Sequence, residues 1–138
     1  MRVFLDANIV FSAAKSDGAI RLLLDLLIKR GHECCIDDYV LEEARRNLAA
    51  KFPAAMVRLG ALVAQFQVGR ASAPVGRVEM LDWLPAKDRP VLLSAMHLRC
   101  DILVTGDRKH FGPGYGKTLG GVTIHSARSL AEVLLREA

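Results

Sequence analysis

The strongest candidates for chemistry in this sequence are four acidic residues: Asp6, Glu43, Asp88 and Asp107. Asp6 and Asp107 each follow an apolar run that is typical of a buried strand. Asp88 precedes a proline at a position where a helix begins. Because the carboxyl ends of parallel strands and the starts of helices meet at one edge of a sheet, we expect these side chains to lie close together.

Carboxylates that are held close together repel one another, and their pKa values rise unless a cation neutralises them. Hard divalent ions such as Mg²⁺ and Mn²⁺ prefer oxygen ligands of this kind. Such ions can activate a water molecule and stabilise the leaving oxygen of a phosphodiester. The sequence has no histidine or cysteine spacing that is typical of zinc. The four acids therefore predict phosphodiester hydrolysis assisted by Mg²⁺ or Mn²⁺, without a covalent enzyme intermediate.

Taken singly, each acid has an ordinary structural explanation. Asp6 and Asp107 could form turns after strands, and Asp88 could cap a helix. Glu43 could lie on a solvated helix face, which is the commonest place for glutamate. It flanks the apolar face of its predicted helix, whereas Glu42 points further away, so we prefer Glu43. The combination of the four positions favours a shared site.

Strands alternate with helices along the chain. The strands are predicted at residues 3–5, 34–36, 101–105 and 122–124. The helices are predicted at residues 7–14, 19–30, 39–51, 53–65 and 90–99, and Ser126 caps a last helix that runs through Arg136. The segment 68–84 is compatible with a short strand or an extended connection. This alternation predicts a single domain over residues 1–138, a three-layer α/β/α sandwich with a central parallel sheet.

Composition indicates a folded, soluble protein, since 51% of the residues are apolar and 25% are charged. Charged residues interrupt the apolar runs too soon for a membrane span. The first predicted strand begins at Val3, which leaves no room for a signal peptide, so we expect a cytoplasmic protein. Cys34, Cys35 and Cys100 have neither bridge nor metal-ligand spacing and are predicted to be reduced core residues.

A glycine-rich stretch at residues 112–118 is superficially similar to a phosphate-binding loop. That motif requires a glycine five residues before its Gly-Lys pair, and Phe111 stands there. No strand leads into the stretch and no helix follows it. We therefore predict a mobile surface loop over residues 112–121, whose Lys117 at most touches a phosphate backbone, and no ATP site.

The order of these motifs resembles the PIN-domain family of nucleases over essentially the whole chain. The stretch Phe-Leu-Asp-Ala-Asn-Ile at residues 4–9 resembles the family's first acidic motif. Val-Leu-Glu-Glu-Ala at residues 40–44 is similar to its helix-borne glutamate motif. Residues 88–92 and 103–107 resemble the segments that carry its third and fourth acids. No single motif is specific, but their order and spacing are.

The resemblance implies an endoribonuclease that uses Mg²⁺ or Mn²⁺ to cut single-stranded or structured RNA. Small members of the family are often the toxin of a toxin–antitoxin pair, and they are commonly dimeric. The expected partners are therefore an RNA substrate, a small antitoxin protein and a second copy of the chain. By this likeness the four acids would hold the metal, directly or through water. Asn8 and Thr105 would orient the ligands or the water.

Positive charge suits a polyanionic partner. The chain has 19 lysines and arginines against 15 acids, a net charge of +4. Setting aside the four site acids leaves 11 acids and an excess of eight positive charges, which would release condensed counterions from a nucleic acid. Five cations flank the acids in sequence and could bind the RNA backbone, although ordinary solvated charge is an equal alternative for each: Arg45, Arg46, Arg89, Arg108 and Lys109.

Two other functions stay open. The acids could accept an arginine-bearing partner instead of a metal, which would make the protein a catalytically silent RNA- or protein-binding module. A phosphohydrolase of small phosphate esters would need a second acid two residues after a nucleophilic aspartate, and Asn8 occupies that position after Asp6. Chelator-sensitive cleavage of single-stranded RNA would distinguish the nuclease from the binding module.

Overall fold

A six-stranded sheet forms the centre of the chain in the computed structural model, which describes residues 1–72 and 76–137. Within those residues the strand order is β3-β2-β1-β4-β6-β5. The strands are β1 Arg2–Leu5, β2 Glu33–Asp37, β3 Gln67–Gly69, β4 Ile102–Val104, β5 Thr118–Leu119 and β6 Val122–His125. All neighbouring strands are parallel except β5, which pairs antiparallel with β6 at one edge.

Helices flank this sheet and complete the predicted three-layer α/β/α sandwich. Their bounds are α1 Ala7–Lys15, α2 Ala19–Lys29, α3 Asp38–Lys51, α4 Met56–Val63, α5 Arg89–His97, α6 Arg108–Phe111 and α7 Ala127–Arg136. Short 3₁₀ turns lie at Pro53–Ala55, Glu79–Leu81 and Gly112–Gly114. No helix in the described part of the chain is both long and apolar enough to cross a membrane.

The central strand β1 is covered on both of its faces. Val3, Phe4 and Leu5 are completely buried, and β1 pairs with β2 on one side and with β4 on the other. A strand that is buried on both faces is a continuous apolar run, and the first polar residue after it lies at the carboxyl edge of the sheet. This register therefore brings the residues after β1 and β4 together.

Most elements lie within two residues of their predicted bounds, and the differences have local causes. The predicted helix at residues 53–65 divides into a 3₁₀ turn and α4, since Pro53 opens a tight turn before the α-helix. For residues 68–84 the sequence left two alternatives open, a short strand or an extended connection. The structure has the short strand β3 at the start of this segment and the 3₁₀ turn Glu79–Leu81 near its end; residues 73–75 lie outside the described parts.

The glycine-rich stretch contains a 3₁₀ turn and the strand β5, so the prediction of a loop throughout residues 112–121 was wrong. Gly120 and Gly121 have φ values of 56° and 82° and join β5 to β6. Leu119 pairs with Val122 across them, which makes a two-residue hairpin whose turn requires positive φ at both positions. The pair of glycines between two short apolar segments was the sequence signal for this hairpin.

The three cysteines are free and buried, as predicted from their spacing. Burial raises the pKa of the Cys34 thiol to about 12, so this thiol stays protonated at neutral pH.

Candidate metal centre

Asp6 is the most buried of the four predicted acids, with 7% of its surface exposed. It follows β1 and caps the first turn of α1, where its Oδ1 accepts a hydrogen bond from the backbone N–H of Ala7 at 2.8 Å. Its Oδ2 accepts hydrogen bonds from Thr105 Oγ1 at 2.7 Å and from Asn8 Nδ2 at 3.3 Å. These contacts fix the direction of the carboxylate.

The environment of Asp6 disfavours its negative charge. Burial raises the pKa of the Asp6 carboxyl from its ordinary value of 3.8 to about 6. The hydrogen bonds from Thr105 and Ala7 lower this pKa, but the nearby charges of Glu43 and Asp107 raise it further. A cation placed among these carboxylates would offset both the burial and the repulsion.

Thr105 and Asn8 tie the end of β1 to the end of β4. Thr105 is fully buried, and its Oγ1 also accepts a hydrogen bond from the backbone N–H of Asp107 at 3.2 Å. Asn8 Oδ1 accepts a hydrogen bond from the backbone N–H of Gly106 at 2.8 Å. A Cβ at Gly106 would lie 3.3 Å from Asn8 Oδ1, so glycine permits this close approach. Both predicted orienting residues thus contact Asp6.

Asp88, Asp107 and His110 form a second cluster on the other side of the same cleft. His110 Nδ1 lies 3.0 Å from Oδ2 of both aspartates. The ligand atoms of the three residues lie within 4.8 Å of one another. The ring direction satisfies a hydrogen bond to Asp107 alone, so Asp88 Oδ2 is buried without a hydrogen-bond donor among the described residues. A buried carboxylate oxygen in this state fits a cation.

Helix α3 contributes Glu43 to the cleft. Glu43 is half-buried, whereas Glu42 is exposed and pairs with a neighbouring arginine. Tyr39, Asn47 and Lys51 also line the cleft, at intervals of four residues from Glu43 along the same helix. Side chains spaced by four residues lie on one face of a helix. Counting in fours from Glu43 would have identified these additional residues in the sequence.

The four acids border one cleft of about 420 Å³. Its lining is Asp6, Ala7, Asn8, Phe11, Tyr39, Glu43, Asn47, Lys51, Lys87, Asp88, Val91, Asp107 and His110. The sequence motifs did not single out His110, Lys51 or Lys87 for the site. His110 lies three residues after Asp107, and the four-residue helix α6 is too short for periodicity to indicate its direction.

None of the five cations expected to bind RNA lines this cleft, and their role in RNA binding stays a prediction. Arg89 donates hydrogen bonds from Nε to the backbone carbonyl oxygens of Leu81 and Leu84, at 3.1 and 2.8 Å, and thereby holds the preceding turn against α5. Lys51 and Lys87 are the lysines that line the cleft. The predicted cations, all within the described residues, are absent from that lining: Arg45, Arg46, Arg89, Arg108 and Lys109.

Comparison with known families agrees with this arrangement. The PIN domain matches residues 2–109, a stretch that includes all four acids. The chain belongs to the PIN-domain family. The resemblance found in the sequence motifs is thereby confirmed. No curated protein sequence matches the chain significantly.

Several solved structures share the fold of this PIN-domain protein. The structure of VapBC2 from Rickettsia felis, bound to a DNA fragment from the VapBC2 promoter, matches with a TM-score of 0.63 at 18% identity, over 91% of this chain and 98% of the other. PAE2754 from Pyrobaculum aerophilum matches with a TM-score of 0.68 at 21% identity, over 99% and 90%. VapBC-1 from nontypeable Haemophilus influenzae matches with a TM-score of 0.59 at 12% identity, over 93% and 99%.

Proposed function

We propose that this PIN-domain protein is a metal-dependent endoribonuclease that hydrolyses phosphodiester bonds of single-stranded or structured RNA. The proposal depends on one observation: acids from four remote parts of the chain border a single cleft. The arrangement opposes the negative charge of Asp6, because burial and repulsion raise the pKa of its carboxyl. A cluster that opposes its own ionisation is a candidate for function.

The proposed cofactor is Mg²⁺ or Mn²⁺. Its ligands would be the four acids, directly or through water, and the buried Oδ2 of Asp88 accepts no hydrogen bond from the described residues. When bound, such an ion supplies positive charge that lowers the pKa of a water molecule and offsets the charge on the leaving oxygen.

The chain's own residues would position the reacting groups. Thr105 and Asn8 hold the carboxylate of Asp6 through hydrogen bonds at 2.7 and 3.3 Å. His110 holds Asp107 through its side chain at 3.0 Å. Lys51 and Lys87 add positive charge to the lining of the cleft, where they would attract the phosphates of RNA.

We also propose that the protein is the toxin of a toxin–antitoxin pair. The support is its resemblance to small PIN-domain toxins and the match to VapBC2 and VapBC-1 over nearly the whole length of those chains. A small antitoxin, a second copy of the chain and a cytoplasmic location are the corresponding expectations. A small DNA-binding protein encoded beside this gene would support the pairing.

The decisive experiment is cleavage of an end-labelled, unpaired RNA oligonucleotide by the purified protein. We expect cleavage with Mn²⁺ or Mg²⁺ and none with EDTA. Asp6→Asn should reduce the rate by roughly 100-fold or more, since it removes a proposed ligand. Asp17→Asn is the matched control, because Asp17 is exposed and outside the cleft, and it should cleave like the unchanged protein.

Two results would contradict the nuclease. Cleavage that persists in EDTA would exclude the metal mechanism, and full activity of Asp6→Asn would exclude the cleft. Binding of RNA with no cleavage in either ion would favour the catalytically silent module.

A further inference from the structure

Two phenylalanine rings pack against each other, and one of them lines the cleft. Phe11 belongs to α1 and lines the cleft, and Phe52 is the first residue after α3. Their ring centroids are 5.9 Å apart and their planes are inclined by 58°. Phe52 is 45% exposed. Part of the Phe52 side chain is therefore accessible to solvent at the end of α3, the helix that carries Glu43.

The ammonium groups of two lysines lie over the faces of these rings. The ammonium group of Lys15 lies 5.6 Å from the centroid of Phe11 and 5.9 Å from that of Phe52. The ammonium group of Lys51 lies 5.7 Å from the centroid of Phe11. Neither lysine forms an ion pair with a carboxylate in the described parts of the chain. Contacts with ring faces leave the positive charges uncompensated. We call Phe11, Lys15, Lys51 and Phe52 the Phe–Lys patch.

Local sequence places the Phe–Lys patch beside the acids. Lys15 lies one turn after Phe11 on α1, and α1 packs against α3. Lys51 lies on the same side of α3 as Glu43, two turns later, and both line the cleft. The patch is thus continuous with the proposed metal site, and its charge is opposite.

We propose that the Phe–Lys patch is a nucleotide-binding subsite for unpaired RNA, next to the phosphate that is cut. The ring of Phe52 would stack on a base, and the ammonium groups of Lys15 and Lys51 would contact the adjoining phosphates. Surfaces that bind single strands without reading their sequence combine an aromatic face with a basic groove in this way. The inference rests on the proposed nuclease function, which supplies the position of the cut.

The charge distribution supports such a subsite. A polyanion that approaches four carboxylates is repelled, and uncompensated cations at the margin would offset that repulsion. A base can stack on Phe52 only when it lies outside an RNA duplex, because both faces of a base inside a duplex are covered by the neighbouring bases. The subsite therefore favours unpaired over double-stranded RNA.

The test is the affinity for a fluorescent, unpaired RNA oligonucleotide, measured by anisotropy in EDTA so that cleavage does not interfere. Phe52→Leu keeps an apolar side chain but loses the aromatic face, and it should weaken binding by about 5- to 100-fold. Phe52→Tyr keeps the face and should restore binding. Lys51→Ala should weaken binding and reduce the slope of log affinity against log salt by about one.

Matched controls lie at the opposite edge of the sheet. Leu135 and Lys29 are exposed, at the ends of α7 and α2, and Leu135→Ala and Lys29→Ala should bind RNA like the unchanged protein. A hairpin duplex of the same base composition should lose much less affinity than the unpaired strand when Phe52 is replaced by leucine.

Two results would overturn the subsite: unchanged affinity of Phe52→Leu, or an equal loss for the duplex and the unpaired strand. If Phe52→Leu binds normally while Asp6→Asn abolishes cleavage, the subsite is wrong and the nuclease stands. If the patch variants lose affinity although no ion supports cleavage, the patch binds RNA and the nuclease is wrong.

Discussion

Replacement of Asp6 by asparagine should stabilise the metal-free protein while it inactivates the proposed enzyme. Burial raises the pKa of Asp6 from 3.8 to about 6. Each pKa unit corresponds to about 1.4 kcal/mol, so the charged carboxylate destabilises the folded state by about 3 kcal/mol above pH 6. Asparagine removes that charge, but it weakens the charge-assisted hydrogen bonds at a cost of about 1 kcal/mol. The expected net gain is about 1–3 kcal/mol.

The sign of the pH dependence follows from the direction of this pKa change. Between pH 3.8 and about 6, the folded state binds more protons at Asp6 than the unfolded state does. The free energy of unfolding of the unchanged protein should therefore fall as pH rises through this interval. The asparagine variant has no such dependence at this position. Its advantage should be absent below about pH 4 and complete above about pH 6.

Urea unfolding in EDTA, followed by the fluorescence of Trp83, would measure both effects at pH 4 and pH 8. Asp17→Asn is the control, since its exposed ion pair with Arg58 should contribute less than about 1 kcal/mol at either pH. Added Mn²⁺ should stabilise the unchanged protein in proportion to ion binding and should have little effect on Asp6→Asn.

The result that would refute this reasoning is a loss of stability in Asp6→Asn at pH 8. A gain of equal size at pH 4 and pH 8 would also refute it, because the gain would then not come from removing a charge. The loss of stability would mean that the hydrogen bonds from Thr105 and Ala7 outweigh the effect of burial.

Two further predictions concern residues near the site and in the turns. Thr105→Val removes the hydroxyl that donates to Asp6 and should destabilise the protein by about 1–3 kcal/mol in urea unfolding, with Thr105→Ser recovering most of the loss; equal stability of the two variants would contradict this. Gly121→Ala places a side chain at a φ of 82° and should destabilise the protein by roughly 1–2 kcal/mol in thermal unfolding. Gly60 lies inside α4 with open space around it, so Gly60→Ala should stabilise the protein by about 0.5–1 kcal/mol in the same measurement. Changes of the same sign in the two glycine variants would contradict the assigned backbone conformations.

Local sequence patterns were sufficient to predict the layers of the fold and the location of the acids at the edge of the sheet. Val3, Phe4 and Leu5 form an apolar run because β1 is buried on both faces, so an acid directly after it had to lie at the edge of the sheet. The helical period distinguished Glu43 from Glu42, and only Glu43 lines the cleft. Local periodicity carries this information because burial repeats with the geometry of the backbone.

Other features depended on how the elements pack. The sequence predicted a parallel sheet but not the order β2-β1-β4, which brings the ends of β1 and β4 side by side. The hydrogen bond from Thr105 to Asp6 joins residues 99 positions apart and exists only in that order. The contact of His110 with Asp88 likewise needs the start of α5 to lie beside α6.

The basic residues show this division most clearly. Proximity in sequence favoured Arg45 and Arg46, which neighbour Glu43, but neither lines the cleft, whereas Lys51, eight residues after Glu43, does. The sequence by itself determined which residues are charged, which face of α3 carries Glu43, and that acids stand at strand ends. Only the tertiary structure decided which cations and aromatic rings face those acids, because the direction of a helix face depends on the neighbour it packs against.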